Sequence, residues 1–129
     1  MRKTPAIVVI LGTGGTIAGA SQVPGDNVHY RAAQLGVQQL VDAVPGLAGQ
    51  ALESEQVAQV DSKDMEFGIW LTLTRRVEFH LARAEVAGIV VTHGTDTLEE
   101  TAYFMQRVLA PRKPVVFTAA MRPADLPSP

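Results

Sequence analysis

Residues 6–19 read AIVVILGTGGTIAG. The run from Ala6 to Leu11 is apolar and mostly β-branched, and it stops where Gly14 and Gly15 stand between Thr13 and Thr16. A short continuous apolar run suits a parallel strand covered on both faces, whereas a strand with one wet face would alternate. Val57–Val60, Gly88–Thr92 and Pro114–Thr118 share that character. Helical periodicities lie between these runs. Ala33, Val37, Leu40, Val41 and Val44 recur at helical spacing up to a stop at Pro45-Gly46. Ile69, Leu73, Val77, Leu81 and Ala84 form a second apolar stripe, with Arg75, Arg76, Glu78 and Arg83 largely off it. Leu98, Ala102, Met105 and Leu109 form a third, with Thr97 and Glu100 spaced as a capping box and Pro111 past the end. The βαβαβαβ order predicts an α/β fold: an open, largely parallel sheet flanked by helices, Rossmann-like or flavodoxin-like, with right-handed crossovers.

The totals agree with one such domain. The chain has 129 residues, 47% of them hydrophobic, enough for a sizeable core. A formal charge of −2 offers no basic face for nucleic acid and no polybasic patch for a membrane surface. Without cysteine there is no disulfide, thiolate zinc site or cysteine nucleophile. Residues 1–20 imitate a secretory leader, with Arg2 and Lys3 before an apolar stretch and Ala18-Gly19-Ala20 as a cleavage-like end. Pro5 and the glycine break shorten that stretch to strand length, so an untargeted chain is expected. The segment Ala18–Tyr30 lacks periodicity and is rich in turn residues, which predicts a long mobile loop placed to act as a lid.

In open parallel sheets ligands bind beyond the carboxyl ends of the strands. Those ends carry GTGGT, DSKDM, THGTDT and AAMRP, a collection of hydroxyls, carboxylates and exposed N–H groups. A dinucleotide fingerprint would need a third glycine where Ile17 stands, and a phosphate-binding P-loop would need a Gly-Lys-Ser or Gly-Lys-Thr ending, yet no lysine lies between Lys3 and Lys63. Adjacent glycines instead allow a sharp bend and close approach of a small ligand to the main chain. Thr95 and Asp96 precede a helix start, where N–H groups and the dipole stabilise negative charge. Capping and turn formation explain the same residues without any chemistry. His93 with Asp96 is a weak metal pattern, no metal site is assigned, and His80 beside the second stripe reads as structural.

TGGTIAG (13–19) and THGTDTLEETAYF (92–104), with NVHY (27–30), VDSKDM (60–65) and AAMRP (119–123) in matching order, resemble the bacterial L-asparaginase family. The resemblance covers essentially the whole chain. It implies an amidohydrolase that cleaves the side-chain amide of L-asparagine to L-aspartate and ammonia, with L-glutamine as a slower substrate and no cofactor. Thr16 corresponds to the nucleophile, Tyr30 to the tyrosine that activates it, and Thr95 and Asp96 to a second catalytic pair acting with a lysine from later in the chain. Asp61, Ser62 and Lys63 correspond to the segment that binds the substrate's α-carboxylate and α-amino groups, and Asp96 helps hold the latter. Gly15, Gly94, Thr95 and Ala120 line the remainder of the pocket. The family further implies a homotetramer for the full-length protein, with no nucleic-acid or membrane partner.

Two departures matter. Members of the periplasmic type carry glycine and glutamine where Asp61 and Lys63 stand; Asp61-Ser62 is similar to the cytoplasmic type, while VHY and EETAYF are similar to the periplasmic type. A cytoplasmic location is expected, with the periplasm as the alternative. Family members also continue past this chain through the lysine and a second, smaller domain. Residues 1–129 are therefore expected to be an incomplete amino-terminal α/β domain, inactive in isolation. The alternatives are a non-catalytic domain that binds asparagine or aspartate, a glutaminase-asparaginase, and the amidase subunit of an amidotransferase; an extra amino-terminal segment usual in that subunit is not seen before the first strand.

Overall fold

A computed structural model describes residues 6–21, 30–31 and 35–124. Four parallel strands form the main sheet among these residues: β1 (Ile7–Gly14), β4 (Leu52–Val60), β5 (Val86–Thr92) and β6 (Val115–Thr118). Helices α1 (Val37–Asp42), α2 (Phe67–Leu81) and α3 (Leu98–Leu109) connect them. The spatial order is β4-β1-β5-β6. That is the flavodoxin-like order, because the second main strand lies on one side of β1 and the third on the other. The connections diverge between β1 and β5, which puts the strand-order switch, where ligands bind in such sheets, at their carboxyl ends.

The core explains the continuous apolar runs. Val9 and Leu11 of β1, Val86, Ile89 and Val91 of β5, Leu73 and Val77 of α2 and Met105 of α3 form one buried cluster. Full burial of each such side chain contributes about 1.5–3 kcal/mol. On the opposite face, Ile10 and Val90 meet Val37, Leu40 and Val41 of α1 across an apolar cleft. Gly12 is required there, since a Cβ on it would sit 2.6 Å from the Val37 Cβ.

Several boundaries differ from expectation. Strand β4 begins five residues before Val57 because Glu53 and Glu55 are matched from α2 and the turn that follows it: Arg76 of the helix grips Glu55 through two bonds of 2.6 Å, and Arg83 of the turn grips Glu53 at 2.7 and 2.9 Å. The first helix is shorter than the stripe from Ala33 to Val44. Its start is fixed by the Gln39 and Gln56 side chains, which accept from the N–H groups of Gly36 and Val37, and Pro45–Leu47 turns separately. Ala84 lies beyond α2, in the exposed turn before β5. Thr97 caps no N–H of α3 with its side chain, so the expected capping box does not form. The segment expected as a loop has paired ends, with β2 (Ala20–Ser21) antiparallel to β3 (Tyr30–Arg31). Residues 22–29 of the expected lid, Ala33, and the leader-like residues 1–5 lie outside the described residues.

Candidate active site

The glycine turn is built from two left-handed residues in succession, Gly14 at φ 105° and Gly15 at φ 81°. A side chain is disfavoured there by the backbone alone. At Gly15 it is also excluded by contact, because a Cβ would lie 2.4 Å from the Gly94 nitrogen. The next layer repeats the arrangement: a Cβ on Gly94 would lie 2.4 Å from Ser62 Oγ. The loop after β1 is thus stacked main chain against main chain on the loop after β5, which in turn packs on the Ser62 side chain of the loop after β4. Thr16 and Thr95 each adjoin the Gly15–Gly94 contact.

Hydrogen bonds lock the stack. Between Gly12 and Gly14 the pairing partner on β4 jumps from Gln56 to Val60, which draws the end of β4 up beside the turn. The Gly15 N–H then donates to the Val60 carbonyl at 2.9 Å. Ser62 Oγ accepts from the Asp96 N–H at 3.1 Å, and the Thr97 hydroxyl donates to the Ser62 carbonyl at 2.9 Å. The hydroxyl expected to cap α3 therefore bridges two loops. From β6, the Thr118 carbonyl accepts from His93 N–H at 2.9 Å, and the Ala124 N–H returns to the Gly19 carbonyl at 3.0 Å. All four strand ends contribute to one rim.

The candidate residues occupy that rim unequally. Thr13 is 1% exposed and its hydroxyl donates to the Thr92 carbonyl at 2.6 Å, which seals it from any solvent-borne ligand. Thr16 opens a short helical turn, Thr16–Ala18, and is half-buried. Thr95 and Asp96 are exposed just before α3, whose first turn carries Glu99 and Glu100. Ser62 is 2% exposed, Asp61 is half-buried and its carboxylate accepts from the Lys63 N–H at 3.4 Å. The exposed Lys63 ammonium lies 3.0 Å from Asp64, which holds its proton more tightly than usual. Ala120 is half-buried in the segment after β6. The backbone of Tyr30 pairs with Ser21, while its side chain lies outside the described residues.

His93 is fully buried, and burial pushes its pKa below the ordinary imidazole value against weaker opposition from the Gly94 carbonyl and Glu100. Its ring nitrogens bond within the protein, 2.7 Å from the Gly94 oxygen and 2.9 Å from Thr101 Oγ1. Among the described residues no cluster of three His, Asp or Glu side chains could hold a metal ion. Thr101 and Trp70 were not singled out by sequence reasoning. The signal was weak: a threonine one helical turn past Thr97, and a tryptophan inside an apolar stripe. No helix among the described residues is long and apolar enough to cross a membrane.

The fold is that of an open parallel α/β domain whose polar strand-end rim lies at the strand-order switch, the place where ligands bind in sheets of this kind. Residues 7–129 match the family model described as Asparaginase, N-terminal, and the chain belongs to the asparaginase family. It is 47% identical over 116 residues to L-asparaginase 2 of Bacillus subtilis, covering 89% of this chain and 31% of that protein. It is 47% identical over 119 residues to the glutaminase-asparaginase of Pseudomonas fluorescens, covering 92% and 33%. The crystal structure of a probable cytoplasmic L-asparaginase from Campylobacter jejuni superposes with a TM-score of 0.87 at 40% identity, covering 93% of this chain and 37% of that one. The chain spans about a third of the length of the curated relatives it matches.

Proposed function

We propose that the protein containing this chain hydrolyses the side-chain amide of L-asparagine, and of L-glutamine more slowly, through a covalent intermediate on Thr16. The observation that supports this reading is the Gly15–Gly94 main-chain contact, whose two loops carry Thr16 and Thr95 at the adjoining positions. In this reading Thr16 Oγ attacks the amide carbon, and ammonia departs after gaining a proton, leaving an ester that water then cleaves. The positive end of the α3 dipole, with the Thr95 N–H beside it, supplies positive potential for the oxyanion. A hydroxyl needs a base to become a nucleophile. Tyr30 on one side, and Thr95 with a lysine beyond residue 129 on the other, fill that role by family resemblance. By the same resemblance Ser62, Asp61 and Asp96 receive the α-carboxylate and α-amino groups. Lys63, held to Asp64, would have to swing away to join them.

The relatives support the amide chemistry at family level, one being named an asparaginase and another a glutaminase-asparaginase. A cytoplasmic, tetrameric protein is part of the same proposal, with the location resting on likeness to the Campylobacter protein, which is named as a cytoplasmic one. The test is Thr16→Ala in the full-length protein. Ammonia release from asparagine should fall by at least about 10³-fold while aspartate binding by calorimetry persists. A parent protein that binds aspartate but releases no ammonia would make this a binding domain instead. A Thr16→Ala variant that retains turnover would remove Thr16 from the mechanism.

A further inference from the structure

A buried chain of hydrogen bonds runs from the α2–α3 interface to the rim. The Trp70 indole N–H donates to Thr101 Oγ1 at 2.9 Å, Thr101 Oγ1 lies 2.9 Å from His93 Nε2, and His93 Nδ1 lies 2.7 Å from the Gly94 oxygen. Its direction follows from the chemistry of the groups. A carbonyl only accepts, so the hydrogen of the imidazole is on Nδ1. The ring is fully buried and neutral, so Nε2 accepts and the Thr101 hydroxyl points its proton there. The lone pair left on Thr101 receives the indole N–H. Each donor has one acceptor, and a single arrangement satisfies all of them.

The last link acts on the peptide joining Gly94 to Thr95. That peptide is planar, so a carbonyl drawn toward His93 sends the Thr95 N–H the opposite way, away from the buried ring. Gly94 has no side chain of its own to resist rotation, and Ser62 grips only the following amide, that of Asp96. Trp70 is itself held by stacking on Phe104, with ring centroids 4.7 Å apart.

We propose that Trp70, Thr101 and His93 are positioning residues that transmit the α2–α3 packing to the Gly94–Thr95 peptide and so aim Thr95 and Asp96. This rests on the reading that Thr95 takes part in amide hydrolysis. The experiment uses the full-length protein with Thr101→Val, which removes the hydroxyl at nearly constant volume, and Thr101→Ser, which restores it. Expected for Thr101→Val is a fall in kcat of about tenfold with KM within about twofold, together with faster hydrogen exchange at the Asp96 amide. Thr101→Ser should return both to the parent values. Parent-like kcat and exchange in Thr101→Val, or a loss that Thr101→Ser fails to rescue, would overturn the proposal. If Thr101→Val does not fold, Trp70→Phe serves, because it keeps an aromatic ring for Phe104 but loses the donor. It should shift both readouts in the same direction, and parent-like values would overturn the proposal. A parent protein that hydrolyses neither amide defeats the activity reading alone, since exchange at Asp96 needs no substrate and still decides the relay.

Discussion

At the scale of single residues, the rim is governed by what cannot be added. Gly15→Ala would place a methyl against the Gly94 main chain and force a left-handed alanine. A loss of about 2–4 kcal/mol is expected, read as a lowered urea midpoint. Thr97→Val removes the hydroxyl that ties α3 to the Ser62 carbonyl and should cost about 1 kcal/mol, with Thr97→Ser close to the parent. The paired glycines, together with Thr95 and Thr97 of THGTDT, were legible in the sequence as a strand-end cluster. The choice of Thr16 over Thr13 was not, except by resemblance, because the two differ only in where the backbone turns them. Thr13 precedes the left-handed pair and points into the protein, whereas Thr16 follows it. The partners of Thr97 and His93 were equally hidden, since Ser62, Thr101 and Trp70 reach them only through packing.

At the scale of elements, legibility followed burial. Strands β1 and β5 read clearly because both faces are covered and their residues are almost uniformly apolar. Edge strand β4 was half missed, because its acidic positions look like surface until α2 supplies Arg76 and the turn after it supplies Arg83. The Glu55 carboxyl is held below its usual range, chiefly by the Arg76 hydrogen bonds. A depressed carboxyl pKa stabilises the fold above the unfolded value and loses that contribution as pH falls through the folded one. Glu55→Gln should therefore cost about 1 kcal/mol at pH 7, a pair this exposed being partly screened, and the difference from the parent should begin to shrink as pH falls past the unfolded glutamate value of about 4.3 and vanish once pH lies below the lowered folded value. Helix α3 ends on Ala110 at φ 43°, a strained position for alanine. Ala110→Gly relieves that strain at some cost in unfolded-chain entropy and should raise stability by about 0.5 kcal/mol, measured by thermal or urea unfolding.

At the scale of the whole molecule, the strand order decides where chemistry can occur, and the order was the one feature of the sheet that periodicity left open between two arrangements. Apolar runs identify strands but carry no record of their neighbours, so the position of β5 beside β1, rather than beyond β4, had to come from the structure. On the far side, β6 has no further strand beside it among the described residues, and Val116 is 53% exposed. Such an edge invites pairing between chains. A polypeptide of residues 1–129 should self-associate, and Val116→Lys should reduce light scattering at equal concentration. The stacked glycine loops carry a different implication, for anyone wishing to redirect the protein toward other amides. Their cohesion comes from main-chain atoms, one serine and the Thr97 hydroxyl, so randomising positions 61, 63, 95 and 96 should leave most library members folded, while diversity introduced at 15, 62 or 94 would be lost before selection began.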